Sequence, residues 1–346
     1  MERLVFYGKG GIGKSTLSAN VAVALCRSGR RVLHVGCDPK HDSTVGLMAG
    51  EMIPTVLERE FDVAVRAEDI VRVSRSGVHC VEAGGPQAGV GCAGRGISRT
   101  VEIFGRADLL SPARYDVVTF DLLGDVVCGG FAAPLRQGVG EKVVIVSSEE
   151  VMALYAANNI ARAVVNYASN GIACAGMILN VRDGVHARAP AERFAELIGV
   201  PILAVVPRDP LFREAEYRRM TVTEHAPDSA VAAQLHALAE RLVAIPLAEC
   251  AIPTPLSDQA FYSFAQHKFD PPPDLWHLHP RPAQAPRPQI VEPDSLELAR
   301  QGYRRDLRAG MLAVRRGLVR PEEALERLQR SHPGFTRSLS ARDLVT

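Results

Sequence analysis

The chain has 346 residues, 47% of them hydrophobic and 23% charged, with a formal net charge of +1. That composition suits a globular protein with a sizeable core, and so even a charge gives no electrostatic case for a nucleic-acid or membrane-surface partner. The strand-like start RLVFYG reads as no signal peptide, and no apolar run reaches the ~20 residues that span a bilayer. Seven scattered cysteines without a CxxC pair read as a reduced, cytoplasmic chain rather than a disulfide framework.

In chain order, short apolar runs predict strands at 4–7, 32–35, 78–82, 117–121, 143–147, 177–180 and 202–206. Helical patterns lie between them, for example at 14–28, 151–168 and 230–243. Wholly apolar strands are those buried on both faces of a parallel sheet. The alternation predicts an α/β fold, a doubly wound, mostly parallel sheet over residues 1–250. Ligands then sit at the carboxyl ends of the strands, where the loops after the first four strands converge. Residues 251–293 read as an extended proline-rich tether: IPTPL at 252–256 leads into a short helical piece, and 271–293, with eight prolines, admits neither helix nor central strand. From 294 to 346 a helical extension is expected, with Asp294 or Ser295 capping one helix and Pro321 opening another. It is too short for a core of its own and reads equally as a docking element or a solvated helix.

The stretch GKGGIGKS, residues 8–15, fits GxxxxGK[ST] between a predicted strand and a helix. Its glycines let successive backbone N–H groups cradle phosphate oxygens, and the following helix adds its positive end. Nucleotide contacts are expected from Gly8, Gly10, Gly11, Ile12, Gly13, Lys14, Ser15 and Thr16, with Lys14 bridging phosphates and Ser15 holding Mg²⁺. Only five of the 40 basic residues are lysine, and three of those, Lys9, Lys14 and Lys40, fall in two short segments near the start. A compact ammonium is wanted there rather than a flat guanidinium. Lys9 resembles the extra lysine of the deviant Walker A group, whose members pair two chains so that it reaches the opposite nucleotide. That resemblance implies a homodimer with ATP at the interface.

In CDPKHDST, residues 37–44, Asp38 is the candidate for orienting the attacking water, Asp42 is open to a plain turn reading, and Ser43 is a further aid near Mg²⁺. Asp121 ends an apolar strand at the Walker B position and would sense the γ-phosphate through the Mg²⁺ water shell. Cys92 and Cys128 each stand alone among glycines (GVGCAGRG and DVVCGGF), on loops at the same rim. A [4Fe–4S] cluster takes four thiolates, and a dimer offers four from two such positions. Cys26, Cys80, Cys174 and Cys250 read as small core residues, while Cys37, beside Asp38, is open, with a structural role favoured.

The segments GKGGIGKST, GCDPKHDST, EAGGPQAGVGCAGRGI, DLLGDVVCGGFAAPLR, ALYAANNI and VPRD resemble, in order and spacing, the nitrogenase iron protein family and its nitrogenase-like relatives over residues 1–260. The resemblance implies a P-loop homodimer bridged by one [4Fe–4S] cluster, with MgATP in each chain. Cys92 and Cys128 are then the cluster ligands, and Lys9, Lys14, Ser15, Asp38 and Asp121 serve the nucleotide. Asn180, Pro207, Arg208, Asp209 and Glu216 are the adenine-side residues, and Arg95 meets the partner protein. The implied role is ATP-dependent electron transfer from a low-potential donor, ferredoxin or flavodoxin, to a nitrogenase-like catalytic component. His41 and Arg213 depart from the usual nitrogen-fixing residues. With the IPTVL segment at 53–57 and the tail, they lean the reading towards relatives such as methylthio-alkane reductase. True nitrogenase and the chlorophyllide and nickel-sirohydrochlorin systems stand as alternatives. A ParA- or MinD-like positioning ATPase shares the lysines and aspartates but needs neither cysteine, and a cluster-assembly scaffold would hand its cluster on.

The tail supplies the first test. Deleting residues 271–346 is expected to weaken binding to the catalytic partner while leaving ATP hydrolysis by the free dimer intact. Co-sedimentation and phosphate release measure the two, and the reverse pattern overturns a docking role.

Overall fold

The computed structural model describes residues 1–37, 41–59, 65–85, 93–122, 135, 139–182, 188–267, 314, 320–331 and 340. Among the described residues eight strands form one sheet: β1 (Glu2–Tyr7), β2 (Val32–Cys37), β3 (Arg72–Val73), β4 (His79–Glu82), β5 (Val117–Leu122), β6 (Lys142–Ser147), β7 (Ala173–Asn180) and β8 (Ile202–Val206). Their order across the sheet is β3-β4-β2-β5-β1-β6-β7-β8. Every pairing is parallel except β3 with β4. The seven expected strands are all present. The eighth, β3, is a two-residue antiparallel edge too short to show a period in the sequence.

Alternation along each strand builds two core layers. Val5 and Tyr7 of β1 and Leu33 and Val35 of β2 face one layer, with Leu4 and Phe6 facing the other. The first layer is closed by α3 (Ala93–Arg106), α4 (Val151–Asn166), α5 (Ala189–Ile198) and α9 (Asp258–His267), through residues such as Phe104, Ile160, Phe194 and Phe261. The second is closed by α1 (Lys14–Arg27) and α8 (Ala230–Ala244), through Leu17, Val21, Leu235 and Leu242. Short helices α2 (Ala67–Ile70), α6 (Pro210–Tyr217) and α7 (Val222–His225) lie in the connections. Helix starts follow local chemistry. Asp209 accepts from Leu211 N, and Thr221 and Glu224 form a reciprocal capping box. The helix expected to reach residue 168 stops at Asn166, and a single 3-10 turn, Ala168–Asn170, runs to Gly171 at φ 79°.

By contacts the chain divides into Met1–Arg287 and Pro288–Thr346. The proline stretch 271–293 and the caps expected at Asp294 or Ser295 lie outside the described residues. In the second unit Pro321 does open a helix, α10 (Pro321–Ser331), with Ala324 and Leu328 buried four residues apart. Among the described residues no helix is long and apolar enough to cross a membrane.

The sheet's central strands set up the site. Gly36 of β2 is in register with Glu82 of β4 on one side and Asp121 of β5 on the other, and Asp121 is in register with Phe6 of β1. One row across the carboxyl rim thus reads Glu82, Gly36, Asp121. Both carboxylates are fully buried. Gly36 is required by close approach: a Cβ there would stand 2.6 Å from Glu82 Cδ. Glu82 is pinned and buried, so the clash cannot be relieved by a rotamer change. Gly36→Ala is expected to cost about 1–3 kcal/mol, the range for overpacking a closed core, measured as a lowered urea midpoint at unchanged slope.

Candidate functional site

Lys14, the first residue of α1, is almost wholly buried and forms an ion pair with the Asp121 carboxylate Oδ1. Its Nζ also lies 3.4 Å from Ser15 Oγ. Burial pushes the Asp121 carboxyl up, but the Lys14 ammonium and the hydrogen bonds to the carboxylate outweigh it, and the net shift is downward. Asp121 is therefore ionised. Its other oxygen, Oδ2, accepts the Ser43 hydroxyl at 2.5 Å.

The loop before α1 is built for phosphate. Gly13 takes the helix N-cap position at φ 91° with no side chain capping the helix, so the first-turn amides stay open. A side chain at Gly13 would run into the Asn180 amide, whose Nδ2 instead donates to Ile12 O at 2.7 Å. Ile12 is buried and anchors the loop to the core. Arg182 reaches the loop from the end of β7, donating to Gly11 O at 2.7 Å. Open amides, a buried lysine and a hydroxyl beside it fit a nucleotide triphosphate with its Mg²⁺.

The segment after β2 is clasped between the two carboxylates. Ser43 donates to Asp121, while Thr44 donates its N–H and its hydroxyl to Glu82 Oε1, each at 2.8 Å. Glu82 Oε2 is buried with no hydrogen-bond partner among the described residues. Burial drives the Glu82 carboxyl up, the Thr44 bonds oppose that, and nearby Asp121 adds to it, for a value of about 7. Ser43, read from the sequence as a further aid near Mg²⁺, is hydrogen-bonded to Asp121. Asp42 is exposed and its carbonyl accepts from Val45 N, as a turn residue's does.

Of the other expected residues, Lys9 is half-buried in the loop and Thr16 is exposed in the first turn of α1. Gly8 is buried, while Gly10 and Gly11 are exposed. Asn180 ends β7, Pro207 and Arg208 follow β8 at the same rim, Asp209 caps α6, and Glu216 is exposed on α6. Asp38, Cys92 and Cys128 lie outside the described residues, as does the Arg95 side chain. The structure fixes the roots of their loops: β2, β4 and β5 are neighbours whose carboxyl ends share one rim. No disulfide joins the described cysteines, and burial raises the Cys80 and Cys174 thiols, the latter to about 12. Thiols held protonated are core residues, as their sequence context indicated.

Sequence reasoning missed His34, Thr44, Glu82 and Arg182. His34 and Glu82 did carry a signal, each a polar residue in an otherwise apolar strand (VLHVGC and HCVE).

Fold and loop together define a P-loop nucleotide-binding α/β protein. Residues 2–269 match the family of 4Fe-4S iron sulfur cluster binding proteins, NifH/frxC family, and the chain belongs to that family. It is 45% identical over 263 residues to a nitrogenase iron protein of Methanococcus voltae, covering 75% of this chain and 94% of the relative. Against that of Methanospirillum hungatei JF-1 the identity is 43% over 272 residues, covering 77% and 95%. Among solved structures, the septum site-determining protein MinD of Pyrococcus horikoshii, complexed with Mg-ADP, superposes with a TM-score of 0.57 at 25% identity, covering 70% of this chain and 96% of that one. A ParA family ATPase of Chlorobium tepidum, with a TM-score of 0.55 and 18% identity over 69% and 98% of the two chains, shares the fold. The cofactors implied by the sequence, a [4Fe–4S] cluster and MgATP, are those of the family.

Glu82 makes the site's stability depend on pH. Its folded pKa of about 7 lies above the ordinary 4.5, so its proton stabilises the fold fully below pH 4.5, and that contribution is lost as pH rises through 7. Glu82→Gln mimics the protonated acid. Its stability relative to the parent is expected to improve between pH 4.5 and 8 by on the order of 3 kcal/mol, read from urea unfolding at several pH values. A constant gap would mean that Glu82 does not titrate there.

Proposed function

We propose that the chain is the ATP-dependent electron-transfer component of a nitrogenase-like enzyme. It would work in the cytoplasm as a homodimer, holding one [4Fe–4S] cluster through Cys92 and Cys128 of both chains. The observation that carries the reading is the buried Lys14–Asp121 pair in a chain of a cluster-binding family. The phosphate-loop lysine and the Walker B carboxylate hold each other where nucleotide would part them.

The chain's own residues then act as follows. The first-turn amides of α1 and Lys14 take phosphate oxygens, Ser15 takes Mg²⁺, and Asn180, Pro207, Arg208, Asp209 and Glu216 border the base. Lys9 reaches the partner chain's nucleotide, and Asp38 orients water. When Lys14 turns to phosphate, Asp121 loses its counter-ion. The hydroxyl it holds belongs to Ser43, and the next residue, Thr44, is fastened to Glu82, the last residue of β4. Glu82 and Asp121 lie at the roots of the segments that carry Cys92 and Cys128. A rearrangement at the phosphates is passed along this short path to both loops, in the manner of nucleotide switches. The cluster, when bound, supplies one-electron storage, and Arg95 faces the catalytic partner.

For the partner, the departures at His41 and Arg213, the IPTVL segment and the tail support a system outside nitrogen fixation, a methylthio-alkane reductase first. The identities of 45% and 43% to nitrogenase iron proteins favour the second reading, a true nitrogenase iron protein. Electron donation from ferredoxin or flavodoxin is part of either.

Anaerobic purification tests the core of this reading. A brown dimer with about four irons and a reduced-state EPR signal is expected, with iron lost in Cys92→Ser and Cys128→Ser. Colourless, iron-free protein would leave only a nucleotide switch. ATP-dependent electron delivery to a carbon–sulfur-cleaving component, compared with delivery to a dinitrogen-reducing one, separates the two partner readings.

A further inference from the structure

Behind the Asp121 carboxylate a hydrogen-bonded chain runs along one face of the sheet. Ser43 Oγ lies 2.5 Å from Asp121 Oδ2, His34 Nε2 lies 3.1 Å from Ser43 Oγ, and His34 Nδ1 lies 2.8 Å from Thr119 Oγ1. All four side chains are at least 97% buried, with His34, Thr119 and Asp121 fully so. His34 projects from β2 and Thr119 from β5, in direct register, two residues before the Gly36–Asp121 pair.

The direction of every hydrogen in this chain follows from its acidic end. Asp121 is ionised beside Lys14, so it only accepts, and Ser43 must donate to it. The Ser43 oxygen is then the acceptor for His34 Nε2–H. In a neutral ring Nδ1 must accept, and the Thr119 hydroxyl, 2.8 Å away and with Leu33 O as a more distant acceptor at 3.4 Å, donates to it. One tautomer therefore satisfies all three links. Burial lowers the His34 pKa to about 4, and Lys14 adds to the effect against the opposing Asp121. The ring is neutral, as the pattern requires.

We propose that His34 is a positioning residue for the nucleotide switch: its Nε2–H holds the Ser43 hydroxyl so that the proton lies on Asp121. One carboxylate oxygen is thereby kept occupied and the other is presented to the cation in front of it, which is Lys14 in this structure. His34 touches neither phosphate nor metal; it acts through Ser43. Without it the Ser43 hydroxyl rotates freely and has no donor, and Asp121 loses a fixed orientation. Ser43 immediately precedes Thr44, so the imidazole also fixes where the clasped segment stands.

The inference rests on the nucleotide reading above, and the test separates the two. ATP binding to the full-length dimer is measured by calorimetry with Mg²⁺ and with EDTA, and the ratio of the two affinities is the readout. A cation-facing role for Asp121 makes that ratio sensitive to its orientation; a merely structural role would lower both affinities together. His34→Leu is expected to reduce the ratio roughly three- to tenfold, the range of one net hydrogen bond. Ser43→Ala should do the same, and the double variant should be no worse than either single one. His34→Gln, whose amide can donate to Ser43, should retain most of the ratio. If His34→Leu fails to fold, Thr119→Val leaves the imidazole in place without its anchor and is expected to show a smaller reduction of the same ratio. An unchanged ratio in His34→Leu, or in Thr119→Val where His34→Leu does not fold, equal losses with and without Mg²⁺, or full additivity with Ser43→Ala overturns the role of His34. A parent protein that binds no ATP overturns the nucleotide reading itself.

Discussion

Two opposite charges taken out of water together hold this site in shape. Lys14 and Asp121 are far apart in sequence, and each alone would be costly to bury. Paired, they remain charged, and the pairing needs β1 beside β5, because Lys14 follows the loop leaving β1 and Asp121 stands in register with Phe6. The neighbouring parallel strands deliver both to one rim. A lysine so held is committed only as long as nothing more anionic competes, and the loop that carries it is shaped to receive such a competitor.

The second carboxylate in the row behaves in the opposite way for a simple reason. Asp121 has a lysine, and its acid is held down. Among the described residues Glu82 is bonded by Thr44 and by no cation, and burial raises it to about 7. Two carboxyl groups on either side of Gly36 are thus a fixed anion and a group near neutrality. Between them the Ser43–Thr44 segment is tied once to each. Because interiors are close-packed, a change at one tie is felt at the other, which gives the phosphate end of the site a short route to the strand end from which the Cys92 segment departs.

The same architecture serves many chemistries, so the fold by itself says little about function. What distinguishes this chain is where chemistry has been placed on it: thiols on glycine-rich segments after β4 and β5, and a phosphate loop after β1. In the sheet β5 lies beside β1, far from it in sequence, and β2 stands between β4 and β5, so the three carboxyl ends share one rim.

Much of this was legible in the residues alone. Short, nearly continuous apolar runs located every parallel strand, since burial on both faces leaves little polar alternation. GKGGIGKS specified its own turn and helix start, because glycine, lysine and serine at that spacing have few other uses. Pro321 marked a helix start for an equally local reason. The glycine-flanked cysteines stood out because a thiol on a bare loop has little packing to do. What the sequence could not determine was who faces whom across strands. Alternation tells which face a side chain takes but not which strand lies beside it. The Glu82–Gly36–Asp121 row, the capture of Ser43 by Asp121 and the imidazole behind it were therefore decided only when the sheet order brought distant residues into register.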